Sequence, residues 1–224
     1  MQQKPYDIKH GIKSSAVFLI ILVLLFLAIT IILGIFYSPS SSNNSLLFFG
    51  DAILELMFPL SVILYFRLYK KAGRDVIISN LGIGKKNLSL YFIALGLVLF
   101  FIITIIGIGI GLISNITGTF ISTNVSVAFA GAPLWFYIFA ALVAPVCEEI
   151  LFRGFMVPRI GIVASAIIFG LLHFSYNSTF GIEIIAAMIF GLLAGYLFKR
   201  TGSLYPSILA HILVNTLAVV MLLK

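Results

Sequence analysis

The chain has 224 residues, 62% hydrophobic and 9% charged, against about 25% charged in a soluble domain. Apolar windows longer than about 18 residues recur, enough to cross a hydrocarbon core of roughly 30 Å, so a polytopic membrane protein is expected and a soluble globular fold is excluded. The net charge of +7, from 14 Lys and Arg against 7 Asp and Glu, has no aromatic-basic patch beside it and reads as a topology signal, not a nucleic-acid surface.

Seven apolar segments follow in order: 15–37, 46–69, 88–113, 133–153, 160–174, 181–198 and 204–222. The first, preceded by Lys4, Lys9 and Lys13, is too long for a signal h-region and lacks a small-residue cleavage site, so it reads as a retained helix. In the second, Asp51 and Glu55 stand four apart on one face near the outer end and read as a solvated interfacial pair. The third contains GIGIG, 107–111, without the strand–turn–helix context of a dinucleotide loop. Gly107 and Gly111 are instead expected to permit close helix packing, as are Gly191 and Gly195 in the sixth. The uncharged stretch 114–132 reads as an outer loop. N-x-S/T triplets at Asn43, Asn115, Asn124 and Asn177 fall on that same side.

The basic residues test this count. Lys4, Lys9, Lys13, Arg67, Lys70, Lys71, Arg74, Lys85, Lys86, Arg153, Arg159, Lys199 and Arg200 all fall on one side of a seven-span chain, and Lys224 alone falls on the other. The positive-inside rule makes the first side cytoplasmic. The expected architecture is an all-α helical bundle of about seven transmembrane helices with a cytoplasmic N-terminus. It forms a single membrane domain over 1–224, multi-pass in the cell membrane and surrounded by lipid, with no nucleic-acid partner.

Polar residues inside the spans carry the functional signal. The fourth segment contains VCEEILFRG, 146–154. Each carboxylate near a bilayer centre costs roughly 2.5–3.5 kcal/mol on insertion scales, so two in succession need compensation. Glu149 and Arg153 are four apart, the spacing of a helical ion pair. Glu148 points about 100° away around the helix and is left to face something else. His173 ends the fifth segment, and His211 and Asn215 share a face of the seventh. A carboxylate with histidines can activate water as a general base, or the two can hold a divalent metal such as zinc through Glu148, His173 and His211. An amide or imidazole N–H can stabilise an oxyanion. No G-x-S-x-G elbow is present, and Asp51 lies on the wrong side for a triad. The single cysteine, Cys147, excludes an internal disulfide and reads as a small buried hydrophobe.

EEILFR from Glu148 to Arg153, FGLLH from Phe169 to His173 and HILVN from His211 to Asn215 resemble the EExxxR, FxxxH and HxxxN motifs of the CPBP, or Abi, family of intramembrane proteases, which includes CAAX prenyl endopeptidases. The likeness covers about residues 140–220. It implies an intramembrane endopeptidase acting on membrane-associated peptides or lipidated proteins, in which Glu148 and His173 activate water. His211 and Asn215 would bind the oxyanion, and Glu149 and Arg153 would support the site. Both a glutamate-type and a metal-dependent mechanism are compatible with it. A non-catalytic immunity or scaffold protein, or a proton-coupled transporter, would use the same polar groups differently. By helix rise, Glu148 and His211 lie about 10 Å from the cytoplasmic face, which places the site in the cytoplasmic half. His173 then comes out nearer the outer face unless its helix begins after Gly161 or tilts.

Overall fold

The computed structural model describes residues 16–28, 31, 45–84, 88–117, 131–173 and 182–223. Lys4, Lys9, Lys13, Lys85, Lys86 and Lys224, residues 118–130 of the long loop, and the triplets at Asn43, Asn124 and Asn177 lie outside the described residues. Among the described residues the secondary structure is helical, without strands. The elements are α1 (Ala16–Ala28), α2 (Ser45–Leu64), α3 (Arg74–Asn80), α4 (Leu90–Thr117), α5 (Leu134–Leu142), α6 (Ala144–Glu149), α7 (Val157–Leu172), α8 (Ile182–Thr201) and α9 (Tyr205–Leu222), with π-helical turns at Tyr65–Tyr69 and Ile150–Met156.

Among the described residues five helical runs are long and apolar enough to cross a membrane, one of them Leu134–Leu172 at 39 residues. A straight helix of that length would span about 58 Å, nearly twice a bilayer core. It bends instead at Gly161, whose φ of 87° and ψ of 170° are not helical. A residue with a Cβ rarely adopts positive φ, so glycine is what permits this break. The fourth and fifth apolar segments are the two legs on either side of it. The first leg therefore does not end at Arg153, because the π-helical turn Ile150–Met156 carries it onward to the bend. A second, smaller interruption lies between α5 and α6, where Pro145 has no N–H to give to the carbonyl of Ala141.

Small residues set the closest approaches. A Cβ on Gly191 would lie 2.9 Å from the Cα of Ala166, and one on Gly195 would lie 3.0 Å from Ile162, so α8 packs directly along α7. Gly96 brings α4 equally close to Pro206 and Leu209 of α9. The packing expected at Gly107 and Gly111 is not found. A Cβ at either would meet nothing within 4 Å, because both glycines lie on an exposed face of α4.

The bundle is tightly closed at the end that carries the basic loops. Gly154 lets Leu81 and Leu204 approach, each almost fully buried. The Leu204 amide donates to the Gly82 carbonyl at 3.2 Å, and the Tyr205 hydroxyl donates to the Ile83 carbonyl at 2.9 Å. Phe155 fills the interior behind them, with its ring centroid 4.3 Å from Phe18 and 5.0 Å from Tyr65.

Candidate active site

The polar centre begins with two adjacent glutamates on α6. Glu149 and Arg153, one helical turn apart, approach to 2.8 Å with relative exposures of 0% and 1%. Removing either ion from water costs several kcal/mol unless a partner compensates. The guanidinium has further support from the faces of Phe169, at 4.2 Å, and Phe190, at 5.0 Å. The ion pair expected from the spacing is thus present, but it is larger than a pair. His211 of α9 places Nδ1 3.0 Å from Glu149 Oε1. The carboxylate beside Arg153 accepts only, so Nδ1 carries the hydrogen of this bond.

The opposite nitrogen of the same ring, His211 Nε2, lies 3.3 Å from Glu148 Oε2. One imidazole therefore touches both glutamates. Glu148 and Glu149 still face different surroundings, as their approximately 100° separation implies, but His211 lies between them with one nitrogen towards each. Glu148 Oε2 is buried and makes no hydrogen bond of good geometry, so its accepting capacity is unspent.

Glu148 lines a cavity of about 200 Å³ together with His173 and Asn215. The bend at Gly161 accounts for His173 being there. Phe169 on the return leg packs against Phe152 on the outgoing one, with centroids 5.0 Å apart, and against the His211 ring at 5.8 Å. Phe169 is thus level with the ion pair. His173, one turn further on, then reaches the cavity. The His173 Nδ1 meets the Phe169 carbonyl at 2.9 Å. A carbonyl only accepts, which puts the hydrogen on Nδ1 and makes Nε2 the accepting nitrogen. Asn215 donates an amide hydrogen to the Ala140 carbonyl at 3.0 Å, joining α9 to α5. Its second amide hydrogen remains a donor.

Asp51 and Glu55 also line this cavity, which corrects their reading as a separate interfacial pair on the wrong side. Asp51 is exposed, while Glu55 Oε2 is buried without a hydrogen-bond partner. The sequence signal was the four-residue spacing on one face of an apolar helix. Depth estimates from hydropathy alone kept them apart from Glu148. Phe136, Ala140, Val219 and Leu222 complete much of the wall, and Cys147 is buried beside the site, as expected of a small hydrophobe.

The arrangement does not fit the metal set of Glu148, His173 and His211. Among the described residues, no three His, Cys, Asp or Glu side chains converge as a metal site would require. Both nitrogens of His211 are also turned towards carboxylates of its own bundle.

A family model described as type II CAAX prenyl endopeptidase Rce1-like matches residues 130–217. A 78-residue stretch is 35% identical to the uncharacterized protein YpbD of Bacillus subtilis (strain 168), covering 35% of this chain and 41% of that protein. The chain thus spans less than half the length of that curated relative. No solved structure matches. Glu148, Glu149, Arg153, His173, His211 and Asn215 all lie inside the matched stretch, whereas Asp51 and Glu55 lie before it. Residues 130–217 of this multi-pass membrane protein are an Rce1-like domain of the CPBP family.

Proposed function

We propose that the chain is an intramembrane endopeptidase of the cell membrane that hydrolyses a peptide bond in a membrane-associated peptide or protein. One observation carries this reading: Glu148, His173 and Asn215 converge on one cavity, and the Glu148 oxygen there is buried with no hydrogen bond. Its neighbour Glu149 is already committed to Arg153 and His211.

The chemistry needs only side chains of this site. Glu148 takes a proton from water held between it and His173 Nε2, and the oxygen attacks the carbonyl carbon. Negative charge on the tetrahedral oxygen is met by the second amide hydrogen of Asn215. As the C–N bond breaks, Glu148 returns its proton to the leaving amine. His211, hydrogen-bonded to Glu149 through Nδ1, packs its Nε2 3.3 Å from Glu148 and so stands between the base and the Glu149–Arg153 pair. That replaces the direct role on the oxyanion expected from the family likeness.

Comparing membrane peptides released by the wild type and by Glu148→Gln, using mass spectrometry, tests the assignment. Removing a general base lowers rates by about 10²–10⁴-fold, so the products should vanish in the variant. Undiminished cleavage by Glu148→Gln would sink it. If the wild type itself releases no peptides and confers the same immunity as the variant, the bundle is a scaffold and not an enzyme.

A further inference from the structure

We propose that the cavity receives its substrate from the face of the membrane opposite the basic loops, the extracytoplasmic face. The scissile bond would then lie in a peptide segment exposed on that side. The identification of the occupant as a peptide rests on the endopeptidase reading, whereas the sidedness does not.

The first support is where the wall residues sit along their helices. Phe136 is in the first turn of α5, His173 directly follows α7, and Leu222 is the last residue of α9. Asp51 is in the first half of α2 and Glu55 is at its middle. These termini gather at one end of the bundle, as the Phe48–Phe136 and Phe49–Trp135 ring contacts at 4.8 and 4.7 Å show for α2 and α5. From His211 to Leu222 the rise is about 16 Å, so the wall extends from mid-bundle to that end. The site therefore does not face the cytoplasmic half, as the helix-rise estimate had it.

The other end offers no comparable route among the described residues. Below Glu148 lie the buried Arg153–Glu149 pair, then Phe155, then Leu81 and Leu204 closed over Gly154. The Leu204–Gly82 and Tyr205–Ile83 hydrogen bonds tie the last layer together.

Charge then assigns the two ends to the two sides of the membrane. Arg67, Lys70, Lys71, Arg74, Lys199 and Arg200 all belong to the closed end, and a concentration of Lys and Arg in short loops marks the cytoplasmic side. The cavity end instead has Asp51 and Glu55 in its wall. Carboxylates facing hydrocarbon are costly, and those inside spans line water-filled cavities or polar interiors. A wet mouth on the far side satisfies both observations. A cytosolic tail could not reach Glu148 through the packed layers, whereas a segment emerging in the outer leaflet could.

Single cysteines test the sidedness without reference to activity. In a Cys147→Ala background, Asp51→Cys and Leu222→Cys mark the cavity end, and Lys199→Cys marks the basic end. Right-side-out vesicles are treated with a membrane-impermeant maleimide before and after opening with detergent. Asp51→Cys and Leu222→Cys should label in sealed vesicles, and Lys199→Cys labelling should be lost until they are opened. The reverse pattern overturns the proposal, as does failure of Asp51→Cys to label in sealed vesicles. Should Cys147→Ala fail to fold, the same substitutions serve with the buried Cys147 retained. A second arm presents one peptide library on the outer or the inner end of a single-span anchor. Cleavage confined to the outer presentation supports the proposal, and cleavage confined to the inner presentation overturns it. Cleavage of neither, with the expected labelling, leaves the sidedness standing and removes the endopeptidase reading.

Discussion

Glu148 and Glu149 are neighbours in sequence, yet they belong to two differently built regions. Around Glu149 the charges are matched: Oε1 meets Arg153 at 2.8 Å and His211 at 3.0 Å, with aromatic faces against the guanidinium. Around Glu148 the helices separate and leave a cavity walled by His173, Asn215, Asp51 and Glu55. A buried charge that is fully paired contributes to holding a structure in one arrangement. A buried carboxylate oxygen without a hydrogen bond retains the capacity to act on something that enters. The two regions are joined by the His211 ring, which gives one nitrogen to each.

Breaking the packed region should have the largest effect. Arg153→Met leaves Glu149 buried without its countercharge, and losing one member of a buried pair costs about 3–5 kcal/mol. The expected outcome is a steep fall in thermal stability and in recovery of monodisperse protein from detergent. Glu149→Gln should act in the same direction, since it strands Arg153. The double variant Glu149→Gln Arg153→Met should lose less than the sum of the single changes, because no lone charge remains. Unfolding curves for Arg153→Met that overlay the wild type would contradict the division drawn here.

Breaking the open region should spare stability and abolish chemistry. Glu148→Gln is nearly isosteric and keeps a contact for His211 Nε2, so its unfolding midpoint should stay close to that of the wild type. Cleavage should nevertheless fall by about 10²–10⁴-fold. Measuring both on one preparation sharpens the contrast: a large loss of stability in Glu148→Gln would mean that the two glutamates share one structural role.

Much of this was legible in the sequence, for definite reasons. Hydrophobic runs fix where helices lie, because only a helix satisfies its own backbone in lipid. The spacing of Glu149 and Arg153 fixes their pairing, because residues four apart share a helix face. What escaped was depth. The first leg of the long run continues through a π-helical turn to Gly161, and nothing in the composition of ILFRGFM announces that extra length. Counting rise from Arg153 therefore set Glu148 too near the basic end and left His173 stranded. The same error separated Asp51 and Glu55 from the cavity they line. The likeness to a known family covers only the second half of the chain and says nothing of α2.

The smallest expected effects test whether small residues follow the same division between filled and unfilled space. Gly191 lies on the packed face of α8, where a new Cβ would sit 2.9 Å from both the Cα and the Cβ of Ala166. Neither atom can swing away as a flexible side chain would, so Gly191→Ala must part α7 from α8. Overpacking of this kind costs about 1–3 kcal/mol. Gly107 sits in an equally glycine-rich stretch of α4, but its new Cβ would meet nothing within 4 Å. There the change only removes backbone freedom, and alanine is favoured over glycine inside a helix by about 0.5–1 kcal/mol. Gly107→Ala should therefore leave the unfolding midpoint unchanged or raise it slightly, while Gly191→Ala lowers it. A drop at Gly107 as large as that at Gly191 would place a partner helix against α4, where this bundle has an exposed face.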